Sequence, residues 1–219
     1  MPIDNRLLHV ISINSMSDDG KRTAQLKAIR DEIWNLTDSP LYAYRKQHNY
    51  YPVLGEGSHT AHVLFVGEAP GKTEAETGRP FCGAAGKLLD LLLASINIAR
   101  KDVYITNIVK DRPPENRDPL PEEIDRYAPF LLRQIDIIQP KIIATLGRFS
   151  MRFILEKFDL PQQNESITKL HGQVLTARAS YGEIYILPLY HPAVALYNGG
   201  SKEILFKDFQ ILKTLIGNS

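Results

Sequence analysis

Three short apolar runs constrain this chain more than any other feature: His62 to Val66, Val103 to Val109 and Ile142 to Leu146, separated by stretches of helical periodicity. Runs that are apolar at consecutive positions must be covered on both faces. A strand achieves that inside a mostly parallel sheet packed between helices. The intervening segments supply the helices. Gly86 to Ile96 reads as amphipathic, and Pro121-Glu122-Glu123 opens a helix with proline at its start and acids in its first turn, with Leu131, Leu132, Ile135 and Ile138 as its apolar face. Gly147 starts another helix towards Phe158. Val174 to Ala177 pairs with Ile184 to Leu189 across the Ser180-Tyr181-Gly182 turn, and Ile204 to Ile216 closes the chain as a helix. Near the start, Leu26, Ile29, Ile33 and Leu36 recur at helical spacing within Arg22 to Leu36, and Asp38-Ser39-Pro40 stops that run. The expected fold class is therefore α/β.

Composition sets limits on function. A chain of 219 residues, 43% hydrophobic, fills one well-packed domain, and no repeat period is visible. A net charge of +1 creates no global field for a polyanion, although a local basic face is compatible with it. The single cysteine, Cys82, excludes an internal disulfide and any multi-cysteine metal site. No signal peptide or membrane-length apolar run is apparent, so an intracellular (cytoplasmic) protein without a membrane partner is expected.

In parallel α/β sheets, ligands bind where the loops leave the carboxyl ends of the strands. Three polar loops gather there: Gly67 to Phe81, Asn107 to Asp118 and Tyr190 to Gly200. The first, "GEAPG", is neither a Walker loop nor a dinucleotide fingerprint, so a nucleotide cofactor is disfavoured. Taken singly, it is a turn-rich connector, Asn107 a strand-end turn former and His191 a histidine before Pro192.

Together the loops say more. "GEAPGKTEAETGRPFCGAAG", "YITNIVKDRPPENRDPLPEEI" and "LYHPAVALYN", in this order and spacing, resemble the three motif regions of the family-4 uracil-DNA glycosylases, from roughly Tyr51 to the end of the chain. The resemblance implies a three-layer α/β/α sandwich with a mostly parallel central sheet, over residues 46–219, preceded by an N-terminal helical extension over 1–45. It implies a monofunctional enzyme, likewise monomeric, that flips uracil out of DNA, cuts its glycosidic bond and leaves an abasic site. A covalent cross-linking homologue and a non-catalytic DNA-binding module of the same fold are the alternatives.

The same resemblance assigns roles. Phe81 stacks on uracil, Asn107 reads N3–H and O4 with its amide, the Ala69 backbone donates to a ring carbonyl, and Glu74 crowds out the methyl group of thymine. His191 donates to O2 as negative charge grows there, and Glu68 positions water and stabilises the cationic sugar. The family inserts a wedge after the matching histidine, a part that Leu196 fills, and by position on the same loops Lys72, Lys110, Arg112 and Arg117 are expected to contact phosphates.

One departure stands out. The family usually holds a [4Fe–4S] cluster with four cysteines, but here "SPLY" (Ser39 to Tyr42) stands near the first pair, Asp111 replaces the third and Tyr127 the fourth. Without thiolates the expectation is a clusterless branch that needs no cofactor and no metal, its cluster site filled by packing and hydrogen bonds.

Overall fold

The computed structural model describes residues 17–197 and 199–218. The first sixteen residues of the proposed N-terminal extension lie outside them.

Six strands form one mixed sheet: β1 (Glu56–Gly57), β2 (Val63–Gly67), β3 (Tyr104–Asn107), β4 (Ile142–Leu146), β5 (Leu175–Ala179) and β6 (Gly182–Leu189). Their spatial order is β1-β3-β2-β4-β6-β5. The four central strands run parallel, and both edges are antiparallel. Every residue of β2, β3 and β4 is buried, as consecutive apolar runs require when both faces are covered.

Alternation along each strand divides the core in two. Leu64, Val66, Tyr104 and Ile143 face one layer of helices: α1 (Asp18–Trp34), α5 (Pro121–Ile138) and α6 (Arg148–Lys157). Val63, Phe65, Ile105 and Ala144 face the other, formed by α4 (Ala84–Ser95) and α9 (Gly199–Asn218), where the Phe65 and Phe209 rings stack 6.0 Å apart. Three layers result.

The anticipated elements are present with small shifts at their ends. Four short ones escape sequence periodicity: α2 (Tyr42–Gln47), α3 (Lys72–Thr77), α7 (Ile167–Leu170) and β1. Elements of two to six residues are too short to display a period. A further single turn, α8 (Val194–Tyr197), follows the third polar loop's histidine.

Helix α1 begins at Ser17, whose hydroxyl accepts the Gly20 N–H, and it buries Leu26, Ile29 and Ile33. These side chains belong to the same apolar cluster as Leu131 and Ile135 of α5. Among the described residues no helix is long and apolar enough to cross a membrane.

Candidate active site

The carboxyl ends of β2, β3, β4 and β6 lie side by side, so Gly67, Asn107, Leu146 and Leu189 deliver their following loops to one edge. Gly67 pairs directly with Asn107 across β2 and β3. Both positions fall on the α4–α9 side of the sheet. A Cβ on Gly67 would stand 2.3 Å from Asn107 Oδ1 and 2.7 Å from Phe81 Cζ. The missing side chain is what lets the amide and the aromatic ring come together.

Asn107 is buried, and among the described residues its Oδ1 meets no hydrogen-bond donor. An unsatisfied buried acceptor costs about 1–3 kcal/mol, and this one is left available to a donor from outside the chain.

Phe81 sits beside it in a left-handed backbone conformation, φ 46°. That is strained for a bulky residue and persists only where neighbours over-determine it. Two contacts do so. The Glu74 carboxylate accepts the N–H groups of Cys82 and Gly83 at 3.0 and 2.9 Å, fixing the turn that follows Phe81. Gly86, in the first turn of α4, packs against the Phe81 carbonyl so closely that a Cβ there would fall 1.7 Å from the oxygen. Glu74 thus serves as a clamp on the aromatic, a task sequence reading missed.

His191 faces Phe81 with ring centroids 5.6 Å apart. Its Nδ1 accepts the Ala193 N–H at 3.1 Å. A backbone N–H only donates, so Nδ1 carries no proton and the neutral ring carries its proton on Nε2. Burial pushes the His191 pKa down to about 4, with the nearby Glu74 charge opposing the shift. The ring is therefore neutral at physiological pH. Gly147 makes room behind it: with φ 98° it takes a conformation suited to glycine, and a side chain there would begin 3.2 Å from His191 Cβ.

Glu68 leaves β2 next to Ala69, which packs at the edge of the apolar cluster. Burial raises the Glu68 pKa to about 7, Asp118 raises it further and Arg148 opposes. Asp118 accepts from Arg148 at 2.8 Å, so an ion pair sits within electrostatic reach of this carboxyl. Neither residue was anticipated, because one comes from the loop after β3 and the other from the start of α6.

The basic residues divide. Lys110 was expected on the surface, but it is 0% exposed. Its Nζ donates to Thr106 Oγ1 and Asn107 O at 2.7 Å and to Gln134 Oε1 at 2.6 Å. Burial holds its pKa well below the usual lysine value. Arg112 is 8% exposed and donates to Tyr50 Oη and Asn116 Oδ1. In this geometry neither is presented to a phosphate, because the turn after β3 folds inward over the α5 layer. Arg117 is bound bidentately by Glu123, whereas Lys72 is exposed and lies 3.8 Å from Glu76. Leu196 is an exposed apolar side chain on α8.

The four positions that the resemblance matches to cluster cysteines converge. Ser39 Oγ and Tyr127 Oη lie 2.7 Å apart, Tyr127 donates to Asp111 Oδ2 at 2.5 Å, and Arg45 donates to both Asp111 oxygens at 3.2 and 3.1 Å. The Arg45 guanidinium also lies over the Tyr42 ring, 5.1 Å from its centroid. These hydroxyl, carboxylate and guanidinium groups satisfy one another and offer no thiolate, so they do not fit an iron–sulfur cluster. Cys82 is elsewhere, with its Sγ 3.2 Å from Thr77 Oγ1.

Comparison with known proteins agrees with this architecture. Residues 54–211 match the family model described as the uracil DNA glycosylase superfamily. A type-4 uracil-DNA glycosylase from Sulfurisphaera tokodaii is 45% identical over 87% of this chain and 84% of its own length. Those of Archaeoglobus fulgidus and Thermotoga maritima are 43% identical over 80% of the chain and 37% identical over 89%, covering 85% and 96% of the respective relatives. With a match over most of its length and relatives of this closeness, the chain belongs to the uracil DNA glycosylase superfamily.

Proposed function

We propose that this protein hydrolyses the N-glycosidic bond of deoxyuridine in DNA, releasing uracil and leaving an abasic site. The observation that carries the proposal is the unpaired, buried Oδ1 of Asn107 beside Phe81, which the absence of a side chain on Gly67 lets come together. A planar base with a donor on its edge suits this pair of groups: Phe81 supplies the stacking surface, and an amide matches the N3–H and O4 pair of uracil.

The bond breaks towards an oxocarbenium-like sugar and a uracil anion. Charge grows on O2, where a donor fixed in advance stabilises the transition state more than the ground state. Neutral His191 is suited to this through Nε2–H, because the Ala193 N–H already occupies Nδ1. Glu68 orients the attacking water and, once ionised, stabilises the sugar cation by its charge. Glu74 flanks the base and holds the Phe81 turn, and the Ala69 backbone amide addresses a ring carbonyl. Lys72 and Arg117 contact phosphates, and Leu196 fills the space the flipped base leaves. No metal takes part in this scheme, and residues 46–219 carry it. One chain supplies every group, which supports a monomer, and a DNA substrate supports an intracellular setting.

A labelled uracil-containing oligonucleotide, treated with alkali after incubation and run on a denaturing gel, tests the reading. Strand scission is the expected result. A shifted covalent band would identify a cross-linking protein, and retention without scission a binding module.

A further inference from the structure

The network that replaces the four cysteines also fixes a helix end. Arg45 is almost fully buried; besides Asp111, its guanidinium donates to Ile33 O at 3.1 Å and Trp34 O at 2.9 Å. Those are among the last carbonyls of α1, which have no partners within the helix. Asp111 lies just beyond Asn107 on the loop from β3, so one buried ion pair ties the end of α1 to the loop that carries the amide.

The course of α1 places that end at the site's edge. Arg22 donates to Ile138 O at the end of α5, Glu32 pairs with Arg133 midway, and Asp38 pairs with Arg126 near its beginning. The two helices therefore run antiparallel. Since α5 starts from the carboxyl edge of the sheet, α1 finishes there. At its last position Trp34 is 51% exposed, and its ring lies 5.9 Å from that of Tyr51, itself 48% exposed. Tyr51 in turn borders α3, the helix that carries Glu74: its N–H donates to Ala75 O at 2.8 Å, and its Cβ is 3.4 Å from where a side chain on Gly78 would begin.

We infer that Trp34 and Tyr51 form a stacking ledge for an unpaired nucleobase of the DNA strand that enters the site. Two large aromatic rings held side by side in solvent, one of them on a helix end locked by buried charges, offer apolar π-faces on which a base can stack. The ledge continues the edge at which Asn107, Glu68 and His191 stand, so a strand whose uridine occupies that site passes next to it. Every base has a π-face, so stacking grips the strand whatever its sequence. The inference rests on DNA being the substrate.

Trp34 is the sole tryptophan of the chain, so its emission reports on the ledge directly. The full-length protein is titrated with a single-stranded oligonucleotide carrying a cleavage-resistant fluorinated deoxyuridine. Emission falls on binding, and replacing one base near the uridine with an abasic spacer restores it. Trp34→Leu and Tyr51→Leu each weaken binding by roughly 5–150-fold, the range for one stacked base. Full emission in the saturated complex, or quenching that no spacer position relieves, overturns the inference. So does unchanged affinity in both variants, which would leave the ledge as a face for a protein partner. Uracil release is measured in parallel. Excision without quenching refutes the ledge alone, whereas no excision by the unmodified protein refutes the glycosylase reading beneath it.

Discussion

Tyr127 donates its hydroxyl to Asp111 at 2.5 Å, and both residues stand where the sequence resemblance led us to expect cysteine. Asp111 is fully enclosed. Burial raises its pKa while Arg45 and Tyr127 oppose the rise, so its charge depends on these two partners. Asp111→Ala strands the Arg45 cation in the interior and is expected to cost about 3–5 kcal/mol in urea denaturation. Tyr127→Phe removes the hydrogen bond to the Asp111 acceptor together with the one shared with Ser39, and costs about 1.5–3 kcal/mol. The purified protein is expected to be colourless and without stoichiometric iron. About four irons per chain would refute the assignment of these residues as the cluster's replacement.

The base site is tested by filling it. Gly67→Ala puts a methyl group 2.3 Å from Asn107 Oδ1, so the amide and Phe81 must both shift. Uracil release falls by at least tenfold, while the melting temperature changes by only a few degrees. Asn107→Asp also loses uracil activity, because an ionised carboxylate repels O4. Near-parental rates in both variants would place base reading elsewhere.

His191→Ala removes the proposed donor to O2. The single-turnover rate drops by roughly 10²–10³, the loss of one transition-state donor, with DNA affinity little changed. Binding measured by anisotropy alongside the rate separates the two effects. A fall in affinity that accounts for the whole loss would make His191 a binding residue.

Glu68 predicts a pH dependence. With its pKa raised to about 7, the carboxylate forms as pH rises through that value, so kcat/KM climbs to a plateau above it. Glu68→Gln abolishes this limb. Stability moves the opposite way: a carboxyl whose folded pKa lies above its unfolded value contributes most below the unfolded pKa, and the contribution is lost as pH rises through about 7. Glu68→Gln is accordingly more thermostable than the parent at pH 8, and the advantage shrinks at pH 5. An unchanged gap between the two pH values would remove desolvation as the cause.

The basic loops give a contrast. Lys72→Gln lowers the slope of log K against log salt by about one unit, as the loss of a phosphate contact requires. Lys110→Met leaves the slope unchanged, because its Nζ is spent inside the protein on Asn107 O, Thr106 and Gln134. Equal effects from both would show that Lys110 reaches DNA after all.

The order of apolar runs and helical periods determined the layered sheet, because a strand such as Val63–Gly67, apolar at consecutive positions, is stable only when both faces are covered. Motif spacing also brought Glu68, Asn107 and His191 to one edge, since the topology carries the carboxyl ends of parallel strands there. Orientation was a different matter. Lys110 and Lys72 look alike as basic residues on polar loops, yet one is enclosed and the other exposed, because only packing decides which way a loop turns. The absence of cysteines at the positions where the resemblance implies them was visible in the sequence, but Arg45 at the centre of the network there was not. Its pairing with Asp111 spans 66 positions and the approach of Trp34 to Tyr51 spans 17, and no local pattern encodes such contacts. They exist because the tertiary fold brings a buried carboxylate, a cation and a helix end together, where each satisfies the others away from water.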